Sequence, residues 1–143
     1  MTDPIAFAMA DAARLFRRNF DARIKQLGVT GPQWRVLVIV VRNPGITQRA
    51  AAELLEVEPI TLSRKVDLLE QAGLIERRAV SGDRRARALF LTNHAAPLVE
   101  AMRAEALALH DEALDGFSES EQVAFSDYVE RFRANLSRQS AVI

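Results

Sequence analysis

Residues 60–92 read ITLSRKVDLLEQAGLIERRAVSGDRRARALFLT, and the way this stretch divides decides the fold. Leu62, Val66 and Leu69 recur at four- and three-residue steps, which predicts a helix over about 59–72 with one apolar stripe. Pro59 suits its first turn. Gly73 ends it, in the left-handed position that commonly follows a helix. Leu74 to Val80 then reads as a strand, Ser81-Gly82-Asp83 as a turn region, and Arg87 to Leu91 as a short returning strand. A helix is thus followed directly by a basic hairpin.

Upstream, Thr47 opens a second short helix over about 47–54, with Ala50, Ala51 and Leu54 inward. Only a few residues separate the two helices, the spacing of a helix-turn-helix. Tight helical pairs also occur in structural bundles, so the pair alone is a weak signal. The hairpin after it turns the reading into a winged helix. Further back, Asn43-Pro44-Gly45 marks a turn. Thr30 caps a helix over about 31–42, with Pro32 in its first turn and Trp34, Leu37, Val38 and Val41 inward. Val36, Ile39 and Val40 make that helix apolar on nearly all sides, as for one buried in mid-domain.

Long helices flank this centre. Over residues 5–26, Ile5, Met9, Ala12, Leu15, Phe16, Phe20 and Ile24 paint one face, continued by Leu27. Over about 95–114, Leu98, Met102, Ala106, Leu109 and Ala113 share a face. Ser118 and Glu121 form a capping box for a last helix to about residue 136, with Val123, Phe125, Val129, Phe132 and Leu136 as its apolar positions. The expected class is mainly α: a winged helix-turn-helix with a small β-hairpin wing, and terminal helices forming a dimerisation region. Residues 1–143 are read as a single domain, with 30–92 as the winged lobe and 1–29 and 95–143 as the dimerisation region. The terminal stripes can close within one chain or on a second copy. Two-fold closure is the commonest soluble assembly, so a homodimer is expected.

The 143 residues carry 19 basic and 19 acidic side chains, for a formal charge of zero. The distribution is more informative than the sum. Residues 1–41 sum to +3, 42–99 to +2 and 100–143 to −5, while residues 77–87 alone reach +4. The absence of cysteine rules out disulfides and thiolate chemistry. The start lacks the pattern of a secretory signal, and no apolar run approaches a membrane span, so a cytoplasmic location without membrane partners is expected.

The basic residues gather where DNA would lie. Thr61, Ser63, Arg64 and Lys65 fall on the early half of the second helix of the pair, the half that enters a major groove. A guanidinium matches guanine O6 and N7, which makes Arg64 the base reader. Thr61 and Ser63 suit phosphate or base edges, and Lys65 suits phosphate. Thr47, Gln48 and Arg49 sit where the first helix crosses the backbone, although Thr47 also reads as an ordinary N-cap. Arg77 and Arg78 lie along the first strand, for phosphate or for solvent. In the wing, Arg84, Arg85 and Arg87 have three readings: a solvated run, insertion into a minor groove, or a bidentate pair with Asp83 that braces the hairpin.

Enzymatic constellations are poor. His94 and His110 are far apart, and His110 with Asp111 and Glu112 makes only a weak metal pattern. No phosphate-binding loop or nucleophile motif is present, and no cofactor is expected. Tyr128 is expected to pack rather than react. A winged-helix protein acting mainly through another protein is the alternative reading.

In TGPQWRVL (Thr30–Leu37), GITQRAAAEL (Gly45–Leu54), ITLSRKVDLLEQAGLIERR (Ile60–Arg78) and GDRRARALFLT (Gly82–Thr92), the chain resembles the MarR family of bacterial transcriptional regulators. The resemblance covers nearly the whole chain. It implies a homodimeric winged-helix regulator, often a repressor, on a pseudo-palindromic operator in double-stranded DNA. It implies release by a small, often aromatic or phenolic, molecule in a crevice between the dimerisation region and the DNA-binding lobe, for which Phe16, Trp34, Leu37, Val38 and Met102 are candidates. By position, Asp83 and Arg85 match the family's wing pair, and Arg84 falls where the wing touches DNA. Three positions depart from the pattern. Asn93-His94-Ala95 replaces a usual glycine, Lys65 stands where an apolar residue is common, and Leu68 where a basic one is common.

Overall fold

A computed structural model describes residues 4–140 of the chain. Six helices and one hairpin follow in the order α1 (Ile5–Ile24), α2 (Gly31–Arg42), α3 (Gln48–Leu55), α4 (Pro59–Gln71), β1 (Ile75–Val80), β2 (Asp83–Leu91), α5 (Ala96–Ala113) and α6 (Glu119–Ser140). The chain divides into two compact units, residues 1–107 and 108–143.

In the first unit, the helix ends follow the local sequence. Thr30 and Gln33 exchange side-chain and backbone hydrogen bonds at the start of α2, a full capping box with Pro32 in the first turn. Gly73 follows α4 with φ of +76°, its N–H donating to Glu70 O while Leu74 N–H donates to Leu69 O. These paired bonds satisfy carbonyls that the helix end leaves open, in a geometry that glycine adopts without steric cost. Only Glu56 to Glu58 separate α3 from α4, the tight pair expected. Without the usual glycine, α5 starts from Thr92, which accepts from Ala95 N–H and caps a 3-10 turn over Asn93–Ala95.

The core is made where the stripes meet. Ile24, Val36, Leu37, Val40, Leu62, Val66, Leu69, Ile75 and Leu89 are its largest fully buried side chains. Each removes apolar surface from water worth about 1.5–3 kcal/mol. The expected burial of α2 holds, with Val36, Leu37 and Val40 buried on it. The expected stripe of α1 holds only at its end. Phe20 and Ile24 are buried, whereas Ile5 and Leu15 are exposed. In the N-terminal half of α1, Ile5 and Phe7 are exposed and Met9 is half-buried.

The hairpin is longer than the sequence suggests. β2 begins at Asp83 rather than Arg87, and the turn is Ser81-Gly82 alone. β1 and β2 pair antiparallel, with Ile75 opposite Leu91 and Arg77 opposite Leu89. The register then jumps, because Ala79 faces Arg87 while Val80 faces Asp83. Arg84, Arg85 and Ala86 therefore bulge from the strand at the wing tip. At the other end, Gly45 N–H donates to Leu89 O and Leu89 N–H to Ile46 O, and Thr47 bridges to Ala88. The start of α3 is thereby stitched to the wing.

In the second unit, Ser118 and Glu121 form the expected reciprocal cap of α6. The Ser118 backbone N–H, and secondarily its hydroxyl, hold the Glu121 carboxyl below the ordinary carboxylate range. Phe117 and Phe125 meet edge to face, their centroids 5.9 Å apart. Val123, Phe125, Tyr128, Val129 and Leu136 nevertheless stay exposed. The expectation that Tyr128 packs is not met within the chain, since that ring is 64% exposed.

Candidate nucleic-acid interface

The hydrophobic stripe of α4 fixes which of its side chains face outward. With Leu62, Val66 and Leu69 turned to the core, Thr61 and Arg64 are exposed and Lys65 is half-buried. None of these three has a hydrogen-bond or ion-pair partner among the described residues. Ser63 is half-buried and faces the wing, its carbonyl accepting from Arg77 Nη2 at 2.9 Å and its hydroxyl lying 3.4 Å from the same nitrogen.

Arg77 departs most from its expected role along phosphates. Side chains alternate across a strand, so Arg77 shares the inner face with buried Ile75. Its side chain is 17% exposed. Nε donates to Gln48 Oε1, Nη1 to Asp67 at 2.7 Å and Glu70 at 3.1 Å, and Nη2 to Ser63. Its backbone N–H also donates to Glu70. Every guanidinium nitrogen is engaged, so this arginine joins β1 to α3 and α4 instead of reaching outward. Arg78, on the opposite face, stacks over Phe90 at 4.1 Å and pairs with Glu76.

The first helix of the pair divides its residues similarly. Thr47 Oγ1 accepts from Ala50 N–H at 3.2 Å, so its side chain caps α3. Gln48 is turned toward Arg77. Arg49 stays exposed, 3.8 Å from Glu53 in a solvated pair of little energetic weight.

At the wing tip the expected Asp83–arginine pair is absent. Asp83 Oδ1 instead accepts from the backbone N–H groups of Arg85 and Ala86, at 3.0 and 3.2 Å. These amides lie in the bulge, where no partner residue of β1 faces them. Arg87 Nη1 turns back to the carbonyls of Arg84 and Ala86, at 3.0 and 2.9 Å. Asp83 and Arg87 thus brace the bulge from its donor and acceptor sides. Arg85 contributes its backbone rather than its guanidinium. Arg84 and Arg85 are left exposed, with side chains unpaired among the described residues.

A sequence model of the MarR family matches residues 27–86. The solved structure of transcriptional regulator PA3341 is 35% identical, covers 94% of this chain and 99% of its own, and superposes with a TM-score of 0.81. The chain belongs to the MarR family. These are winged-helix, DNA-binding transcription regulators rather than enzymes. The transcriptional regulator SlyA is 29% identical over 96% of each chain, with a TM-score of 0.79. A putative MarR family regulator from Listeria monocytogenes, solved with a 26-mer DNA, is 25% identical over 97% of this chain and 92% of its own, with a TM-score of 0.80.

Of the five MarR-type effector candidates, the structure brings two into one cleft. Val38 and Met102 line a cavity of about 290 Å³ with Phe20, Val41, Val99 and Ala106, and Arg42 and Arg103 at its polar side. Leu37 is fully buried in the core. Trp34 meets Phe20 edge to face at 4.8 Å, and its indole N–H donates to Asp21. Phe16 is half-buried outside the cavity lining. Sequence reasoning missed Phe20, Val41, Val99, Ala106 and the two arginines, because the lining comes from three helices and no single stripe marks it. Among the described residues no group of three or more His, Asp or Glu could hold a metal ion, and no helix is long and apolar enough to cross a membrane.

Proposed function

We propose that this protein is a homodimeric, sequence-specific repressor that binds a pseudo-palindromic operator and is released by a small aromatic or phenolic effector. The observation that carries the reading is the set of exposed, unpaired Arg64, Arg84 and Arg85, on a helix and a wing where Ser63, Arg77, Asp83 and Arg87 are internally bonded. Arg64 addresses a base edge in the major groove. Arg84 and Arg85 enter the adjacent minor groove, where negative potential favours guanidinium. Thr61, Lys65 and Arg49 serve the backbone, while Gln48, Ser63, Arg77 and Arg87 hold the surface in shape. Residues 30–92 form the DNA-binding lobe in this reading.

Dimerisation is supported by apolar side chains left uncovered at both ends of the sequence, on the first half of α1 and along α6. A second copy, through residues 1–29 and 95–143, would cover them. The cleft beside Met102 is apolar with two flanking arginines, which suits an aromatic ring bearing an acidic group. A regulator of this kind works where the chromosome is, in the cytoplasm.

The test is a footprint on the intergenic DNA next to the gene, repeated with phenolic acids. A protected inverted repeat, lost on adding one of them, is the expected result. Affinity should fall steeply with salt as neutralised phosphates regain their counterions. Weak binding, equal on every duplex even at low salt, would refute the reading. Phe125→Glu together with Val129→Glu should yield monomers in sedimentation and reduce operator affinity by about 100-fold, because paired half-site binding is lost.

A further inference from the structure

The outward face of α4 carries two large aliphatic side chains that the core does not use. Ile60 is 64% exposed and Leu68 is 56% exposed. At about 100° per residue, Arg64 points almost directly away from Leu62, Val66 and Leu69, and Ile60 and Leu68 lie within about 40° of it, one turn to either side. Single exposed aliphatics are ordinary on any surface. These two are not scattered, since they bracket an unpaired guanidinium on one stripe, beside exposed Thr61 and half-buried Lys65.

The charge around the stripe identifies its occupant. Arg64 and Lys65 on the helix, with Arg84 and Arg85 on the wing, suit a polyanion, and a related regulator of this fold was solved with a 26-mer DNA. The apolar group that a major groove offers on its base edges is the C5-methyl of thymine. We propose that Ile60 and Leu68 read thymine methyl groups on either side of a guanine addressed by Arg64. One helical turn advances about 5.4 Å, so each methyl lies about one to two base-pair steps from that guanine. The proposal rests on the DNA-binding reading above and adds the sequence class of the half-site.

The experiment selects binding sites from random duplex DNA with the full-length protein, then replaces each thymine singly with deoxyuridine, which removes only the methyl group. At two positions per half-site, one on either side of the guanine, affinity should fall about threefold to fivefold, the worth of one buried methyl. Ile60→Ala and Leu68→Ala should each abolish the penalty at one position and keep it at the other. Both side chains are exposed, and the deoxyuridine arm leaves the protein itself unaltered. Specific binding that is indifferent to every deoxyuridine overturns the proposal while the DNA-binding reading stands. Full deoxyuridine sensitivity in both alanine variants overturns it as well. Failure to enrich any sequence over random duplex overturns both.

Discussion

At the base of the wing, Arg77 is 17% exposed and all three of its guanidinium nitrogens are bonded to α3 and α4. At the tip, Arg84 and Arg85 stand in solvent with their backbone held from below by Asp83 and Arg87. The same residue type holds the helix pair to the strand at one end and presents free charge at the other. Strand alternation decides which. Arg77 shares the parity of buried Ile75, whereas the tip arginines lie in a bulge that has left the pleat. Charge density along a sequence therefore overstates the charge offered to a partner.

Removing Arg77 should break this contrast most severely. Arg77→Ala would leave Asp67 and Glu70 close together without their cation, and Gln48 and the Ser63 carbonyl without their donor. A loss of about 2–3 kcal/mol is expected, a large share of a small domain's stability. Chemical denaturation checks it. Arg77→Lys should recover less than half, because an ammonium lacks the planar fork that reaches four separate acceptor groups. A phosphate-binding Arg77 would give the opposite pattern: stability unchanged and the lysine variant nearly sufficient.

Arg84→Ala and Arg85→Ala should reverse the signature. Melting temperature should shift by less than about 2 °C, since neither side chain has an internal partner. DNA affinity should fall by about tenfold for each, the worth of one charge-assisted hydrogen bond. The slope of log affinity against log salt should become shallower by about 0.9 for each phosphate that is no longer neutralised. Equal weakening on operator and random DNA would mark these arginines as phosphate binders. Weakening confined to operators with a narrow A·T-rich flank would mark minor-groove insertion.

Much of this was legible from residues alone, and the misses have a common cause. Helix positions followed from apolar spacing and caps, and Thr30, Gly73, Ser118 and Glu121 act as their positions suggest. The candidate readers Thr61 and Arg64 could be placed because a helix face is set by a local period. Partners across sequence could not. The Arg77 cluster joins residues up to 29 positions apart, and no local pattern shows that Gln48 and Ser63 meet there. A signal was nonetheless present, since counting by twos from Ile75 places Arg77 inward. The bulge at Arg84–Ala86 was invisible for another reason. Turn chemistry marks Ser81-Gly82-Asp83 but says nothing of the register on the returning strand. The apolar residues of α1 and α6 were legible as stripes, though the exposure of Ile5, Phe7, Val123 and Phe125 was not.

The smallest expected effects separate the two halves of the tip brace. Asp83→Ala frees two amides of the bulge, but both are exposed and water replaces the lost acceptor, so the cost should be about 1 kcal/mol or less. Arg87→Ala removes a donor from two exposed carbonyls and should cost less still, about 0.5 kcal/mol. Hydrogen exchange at Arg85 and Ala86 resolves what global unfolding cannot. Asp83→Ala should speed exchange at these amides, while Arg87→Ala should leave them nearly as protected as before. Asp83→Asn is the sharper variant, because its amide oxygen still accepts at the same place without the charge. If Asp83→Asn keeps the protection and the DNA affinity, Asp83 works by hydrogen-bond geometry. If protection survives but DNA affinity rises, the carboxylate had also been screening Arg84 and Arg85, and the tip would be tuned below its greatest attraction for phosphate.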